Sequence, residues 1–177
     1  MANRAAALVI ALGLPVAALA EAPQPGEDAA RLVGQVSEAL FDLLPTEDHA
    51  NARAFFTPEF AELLSEEEWN GLRKSLLAEA GAIPRYRAHA LSFYPQADQL
   101  IAAVDFSGPG ENGTAICGYL VWSMPTDDRI GLLRIEESVA NPALMRQMQP
   151  EEATQALLSW RCPPDVIASV LGLPKAE

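Results

Sequence analysis

Basic residues are scarce in this chain. Its 177 residues include 12 Lys and Arg against 24 Asp and Glu, a formal net charge of −12. Such a chain is repelled by nucleic acid and by anionic lipid surfaces. Its densest basic stretch is only Arg85-Tyr86-Arg87, so a nucleic-acid partner is not expected. Histidine is scarcer: His49 and His89 are far apart, and neither His-Glu-x-x-His nor a calcium-loop pattern occurs, so no metal site is expected. Asp127-Asp128 reads as turn chemistry. No Gly-x-Ser-x-Gly elbow is present. Gly108, Gly110 and Gly113 join two predicted strands rather than a strand and a helix, the wrong setting for a phosphate cradle. No cofactor is expected.

The apolar residues at the start have a different meaning. Arg4 is followed by an apolar run from Ala5 to Ala17, broken by Gly13 and Pro15, and then by Ala18-Leu19-Ala20 ahead of Glu21. This order reads as a secretory signal peptide over residues 1–20, cleaved after Ala20. The run is shorter than a membrane span requires, so no membrane insertion is expected after cleavage. No cysteine follows the cleavage site to carry a lipid. The protein is expected in the periplasm or the exterior. Asn112-Gly113-Thr114 has the form of a glycosylation acceptor and reads as hairpin chemistry instead.

There are two cysteines, Cys117 and Cys162. In an exported chain such a pair is expected to bond, here closing a loop of about 45 residues worth roughly 4 kcal/mol in the chain-entropy model. A redox-active pair would want Cys-x-x-Cys spacing or a positive helix start beside the thiol.

Helical signals fill the first half of the mature chain. Ala29, Leu32, Val33, Val36, Leu40, Leu43 and Leu44 follow a 3.6-residue period that Pro45 stops. Thr46 is expected to cap a short second helix, with Glu47 and Asp48 in its first turn. Thr57-Pro58 is expected to start a third. Ser65-Glu66-Glu67-Glu68 is a capping box, opening a helix with Trp69, Leu72, Leu76 and Ala80 on one stripe and ending at Gly81.

From Arg85 the period becomes two. Strands are predicted over 85–94, 99–107, 115–124 and 129–140, joined by short Gly-, Pro- and Asp-rich links that imply consecutive hairpins. Leu91, Phe93, Leu100, Ala102, Val104, Phe106, Ile116, Leu120, Trp122, Met124, Leu133 and Ile135 form an apolar face for the helices. The other face mixes Tyr86, Tyr94, Asp105, Cys117, Tyr119, Arg134 and Glu136 with Ile101, Val121 and Leu132, a pattern that asks for a partial cover or a ligand. The tail supplies a cover: Pro150 opens a helix carrying Ala153, Ala156, Leu157 and Trp160, and Pro163-Pro164 breaks it before a last short turn. The expected class is α+β, with N-terminal helices on a four-stranded antiparallel meander and a C-terminal helical tail. Residues 27–173 form one domain with its tail over 141–173, between loose ends at 21–26 and 174–177.

The candidate catalytic residues are Asp105 and Tyr119, side by side on adjacent predicted strands of the mixed face. A carboxylate in an apolar pocket can serve as a general base and a buried tyrosine as an oxyanion donor. The plainer reading puts Asp105 in solvent or beside Arg134, with Glu136 and Glu137 a solvated strand end and His89 an edge or core histidine beside Leu91 and Phe93.

The N-terminal helices ending in the Trp69-to-Gly81 helix, followed by a curved meander, resemble the nuclear-transport-factor-2-like superfamily over roughly residues 27–140, with the cystatin-like plan as a neighbouring alternative. The resemblance implies a cone-shaped α+β fold whose concave side, next to the long helix, forms a pocket. It carries no catalytic residue to a position here. The expected function is non-catalytic binding of a small molecule or an envelope protein. The alternatives are a cofactor-free acid-base enzyme using Asp105 and Tyr119, and a structural or inhibitory protein that presents its hairpin loops.

Overall fold

The computed structural model describes residues 26–46, 48–96, 99–125 and 129–174. The signal segment over 1–20, the residues up to 25, Glu47, Asp127-Asp128 and the last three residues lie outside them. Four helices come first: α1 (Glu27–Leu43), α2 (His49–Arg53), α3 (Pro58–Leu63) and α4 (Glu66–Ala80). Strands β1 (Arg87–Pro95), β2 (Gln99–Pro109), β3 (Ala115–Pro125) and β4 (Gly131–Ala140) follow, and then α5 (Pro142–Met145), α6 (Pro150–Ser159) and α7 (Pro164–Leu171). The sheet is an antiparallel meander in the order β1-β2-β3-β4. The fold is α+β.

Local chemistry sets most of the helix ends. Thr57 accepts from the Phe60 N–H at 3.2 Å with Pro58 at the first helical position of α3. Ser65 and Glu68 complete the capping box of α4, and Gly81 ends that helix at φ 76°, a left-handed value that glycine adopts without steric cost. Thr46 departs from expectation. Its hydroxyl donates to the Leu43 carbonyl at 2.8 Å and closes α1, while Asp48 caps α2 by accepting from the Asn51 N–H. The short helix α5, capped by Asn141, was not anticipated.

The inner face of the sheet carries the main core. Val33, Leu40 and Phe41 of α1 and Leu44 just past its end meet Val104, Phe106, Leu120 and Trp122, and Trp69 and Phe56 close the other side. Trp122 Nε1–H donates to Ser37 Oγ at 3.0 Å and Trp69 Nε1–H to the His49 carbonyl at 3.1 Å, so both buried indoles are satisfied.

Three face assignments need correction. The pairing slips between Val121 and Trp122, leaving Leu133 as the extra residue and setting Leu132 opposite Trp122 in the core. One extra residue reverses which neighbour points inward. Leu132 is pinned further by a bridge to the chain before α3, with Leu132 N–H donating to the Phe55 carbonyl and Thr57 N–H to the Leu132 carbonyl. Tyr86 precedes β1, which starts two residues later than predicted, and is buried against Phe41 and Phe106 rather than on the mixed face. A slip between Ala88 and Ala90 makes His89 the extra residue of β1, and it is exposed.

The tail packs on the opposite, outer face. Ala115, Cys117 and Ala140 form a second apolar cluster with Met145, Ala153, Leu157, Cys162, Ile167 and Val170. Cys117 and Cys162 are joined, their Cα atoms 5.1 Å apart, which ties the tail across one end of that face. No helix among the described residues is long and apolar enough to cross a membrane.

Candidate functional site

Helix α4 turns its buried side toward the sheet through Trp69, Arg73 and Ala80, with Leu76 and Leu77 half-buried between them. Arg73 therefore stands at the centre of an apolar stripe, four residues after Trp69. Leu72, expected on that stripe, is 58% exposed instead. On β4 the inner positions run Ile135, Glu137, Val139, facing Leu120, Gly118 and Ile116 of β3. Glu137 thus interrupts an apolar period-two pattern as Arg73 interrupts a helical one.

The two meet. Arg73 Nη1 donates to Glu137 Oε2, with the side chains 1% and 7% exposed. The other guanidinium arm, Nη2, donates to the Leu44 carbonyl at 2.7 Å and to the Tyr86 hydroxyl at 3.1 Å. The guanidinium also lies 5.5 Å from the Trp69 ring centre, a favourable cation–π distance. Glu137 is therefore a buried ion-pair partner, and the solvated strand end expected at 136–137 is confined to Glu136, which is half-exposed and paired with Arg134.

Gly118 makes room for this pair. A side chain there would overlap the Glu136 carbonyl oxygen and approach the Glu137 Cα at 3.1 Å. The bare glycine lets the β4 backbone press in and carry Glu137 toward α4.

Burial opposes the charge on Arg73, but the Glu137 carboxylate and the Tyr86 hydroxyl together outweigh it and hold the guanidinium above its ordinary range. Burial pushes the Tyr86 phenol well above its usual value, and the Glu137 carboxylate adds to that rise. Two atoms of the cluster, Arg73 Nε and Glu137 Oε1, are buried without a hydrogen-bond partner among the described residues.

A groove of about 420 Å³ opens over this cluster between α4 and β4. Its walls are Leu64, Trp69, Leu72, Leu76, Ile135 and Val139, and Arg73 and Glu137 line it with the rim residues Ser75, Glu79 and Glu136. The volume falls within the ordinary range of small-molecule sites, and apolar walls with a few placed polar groups are their usual composition. A larger depression of about 570 Å³ between α2 and α4 is lined by Asp48, His49, Ala50, Glu66, Asn70, Lys74 and Leu77.

Asp105 and Tyr119 are direct cross-strand partners on β2 and β3, on the outer face away from the groove, and both are half-buried. The Arg134 guanidinium lies 5.7 Å from the Tyr119 ring centre and pairs with Glu136 rather than with Asp105. Tyr86 and Tyr94 do not join them: Tyr86 is in the inner core and Tyr94 is 56% exposed. Among the described residues no group of three or more His, Cys, Asp or Glu is placed to hold a metal ion.

Sequence reasoning passed over Arg73 and read Glu137 as part of a solvated strand end. The available signal was the same in both: one charged residue at a core position of an otherwise apolar periodicity, with opposite signs on the two elements.

No protein-family model matches the chain, and no curated protein matches it. Among solved structures it is similar to Bd1075 of Bdellovibrio bacteriovorus, with 13% identity over 63% of this chain and a TM-score of 0.46. The match takes in 40% of that protein's chain.

Proposed function

We propose that this chain is an exported, non-catalytic binding domain that holds a small apolar molecule in the groove between α4 and β4. The observation that carries the reading is the buried Arg73–Glu137 pair beside an apolar-walled groove, with one polar atom of each residue left unpartnered. Such groups fix the orientation of a ligand whose affinity comes from apolar contact. Export to the periplasm or exterior is supported by the order of features in the first twenty residues and by the bonded cysteine pair. The order of helices and strands, with a pocket on the inner side next to α4, supports a nuclear-transport-factor-2-like cone.

The groove reading is tested by amide chemical-shift mapping of the labelled mature protein against a small-molecule extract of its own cell envelope. Shifts should concentrate on α4 and on β4 from Ile135 to Val139. Shifts confined to the outer face around Asp105 and Tyr119 would favour the acid-base enzyme, which the cross-strand pairing of those two residues keeps as the second reading. Broadening across a whole surface on addition of envelope protein would favour a protein partner.

A further inference from the structure

We propose that the occupant of the α4–β4 groove is an apolar molecule bearing one neutral head group that both donates and accepts a hydrogen bond, an alcohol or a primary carboxamide, read by Glu137 Oε1 and Arg73 Nε. This rests on the groove being the binding site and adds the chemical class of what it binds.

The argument follows from which atoms are already used. Arg73 spends Nη1 on Glu137 and Nη2 on Leu44 and Tyr86, which leaves Nε–H. Glu137 spends Oε2 and keeps Oε1. A guanidinium N–H only donates and a carboxylate oxygen only accepts, so the two leftover atoms have opposite hydrogen-bonding sense. A hydroxyl or a carboxamide carries both complements in one uncharged group. Leaving a buried polar atom unmatched costs more than a typical hydrogen bond contributes, so a head that matches both is selected over one that matches neither.

Charge argues the same way. The floor already contains a matched cation and anion, 1% and 7% exposed. A third charge there would have to shed its water with no partner of its own. Glu79 and Glu136 on the rim repel a carboxylate and hold an ammonium at the mouth, short of the floor. Both unpartnered atoms are shielded from solvent, so the head reaches them by parting the side chains above. Leu72, 58% exposed on the groove wall, has room to swing.

The test is calorimetric titration of the intact mature protein with five probes of one chain length: decanol, decanamide, decyl methyl ether, decylammonium and decanoate. The ether keeps the acceptor and loses the donor, which separates recognition of the head from simple hydrophobicity. Decanol and decanamide should bind about tenfold more tightly than the ether, as expected for one buried hydrogen bond, and more tightly than either ion. Glu137→Gln should erase the advantage over the ether, and Leu72→Trp, which blocks the mouth from an already exposed position, should remove binding of all five. If the ether or an ion matches the alcohol while Leu72→Trp still abolishes binding, the head-group inference is overturned and the groove stands. If no probe binds, or Leu72→Trp binds as the wild type does, the groove reading falls with it. Should Glu137→Gln fail to fold, the ranking in the wild type decides.

Discussion

Arg73 of α4 and Glu137 of β4, 64 residues apart in the chain, form an ion pair beneath the helix in which both side chains are almost wholly buried. Two charges removed from water are stable there because each compensates the other and because Leu44 and Tyr86 take up the remaining guanidinium arm. The pair ties α4 to the last strand of the sheet and forms the polar floor of the groove.

Removing one partner should be worse than removing both. Glu137→Ala or Arg73→Ala leaves an uncompensated buried charge and should cost about 3–5 kcal/mol in urea unfolding. Arg73→Met with Glu137→Leu removes both charges but leaves the buried Leu44 carbonyl and Tyr86 hydroxyl without their donor, so it should cost about 1–3 kcal/mol, less than either single variant. Single and double variants of equal stability would show that the pair is not buried as described.

Tyr86 gives this cluster an alkaline signature. Its folded pKa lies above the unfolded value because burial opposes the phenolate, so the folded state binds the proton more tightly. The contribution is complete below the ordinary tyrosine value of 10.0 and is lost as pH rises past it. Ultraviolet titration should show one phenolate that forms only as the chain unfolds. Tyr86→Phe should lack it and lose about 2 kcal/mol at neutral pH through the missing acceptor for Arg73. Full ionisation of all three tyrosines in folded protein would contradict the burial of Tyr86.

The capping box makes the opposite prediction in acid. Hydrogen bonds from the Ser65 hydroxyl and N–H hold the Glu68 carboxyl below its ordinary value of 4.5. That contribution is present above 4.5 and is lost as pH falls through the lower folded value. Ser65→Ala should cost about 1 kcal/mol at neutral pH, and the gap from wild type should narrow below pH 4.5. A gap that is constant with pH would separate the serine from the carboxylate.

Much of this fold was legible in the sequence because its signals are local. The Thr57-Pro58 start, the Ser65–Glu68 box, the Gly81 stop and the short hairpin links each depend on a few neighbouring residues. Cys117 and Cys162 could be paired because the chain has no other cysteine. Face assignment failed where one extra residue decides it. Leu133 and His89 sit at register slips that only pairing with the next strand creates. Asp105 and Tyr119 were placed together correctly, since register across a regular hairpin follows from counting. The groove was hidden for a different reason. Arg73 and Glu137 were each visible as a charge in an apolar period, but their meeting depends on how α4 lies across β4, which neither segment encodes alone.

The Cys117–Cys162 link should stabilise the tail more than the core. Cys117→Ser with Cys162→Ser should lower stability by about 2–4 kcal/mol. Hydrogen exchange should rise first in α6 and α7, which are held by the smaller outer cluster, while α1 and the inner strands stay protected. A thiol assay on unfolded, unreduced wild type should find none.

The most direct test of the central claim is native mass spectrometry of the mature protein, purified gently from its own cell envelope beside the Leu72→Trp variant. The account predicts a small non-covalent mass on the wild type that is absent from the variant, on chains two hydrogens lighter than the reduced form. A bare wild type, or the same added mass on both proteins, would contradict a ligand held between α4 and β4.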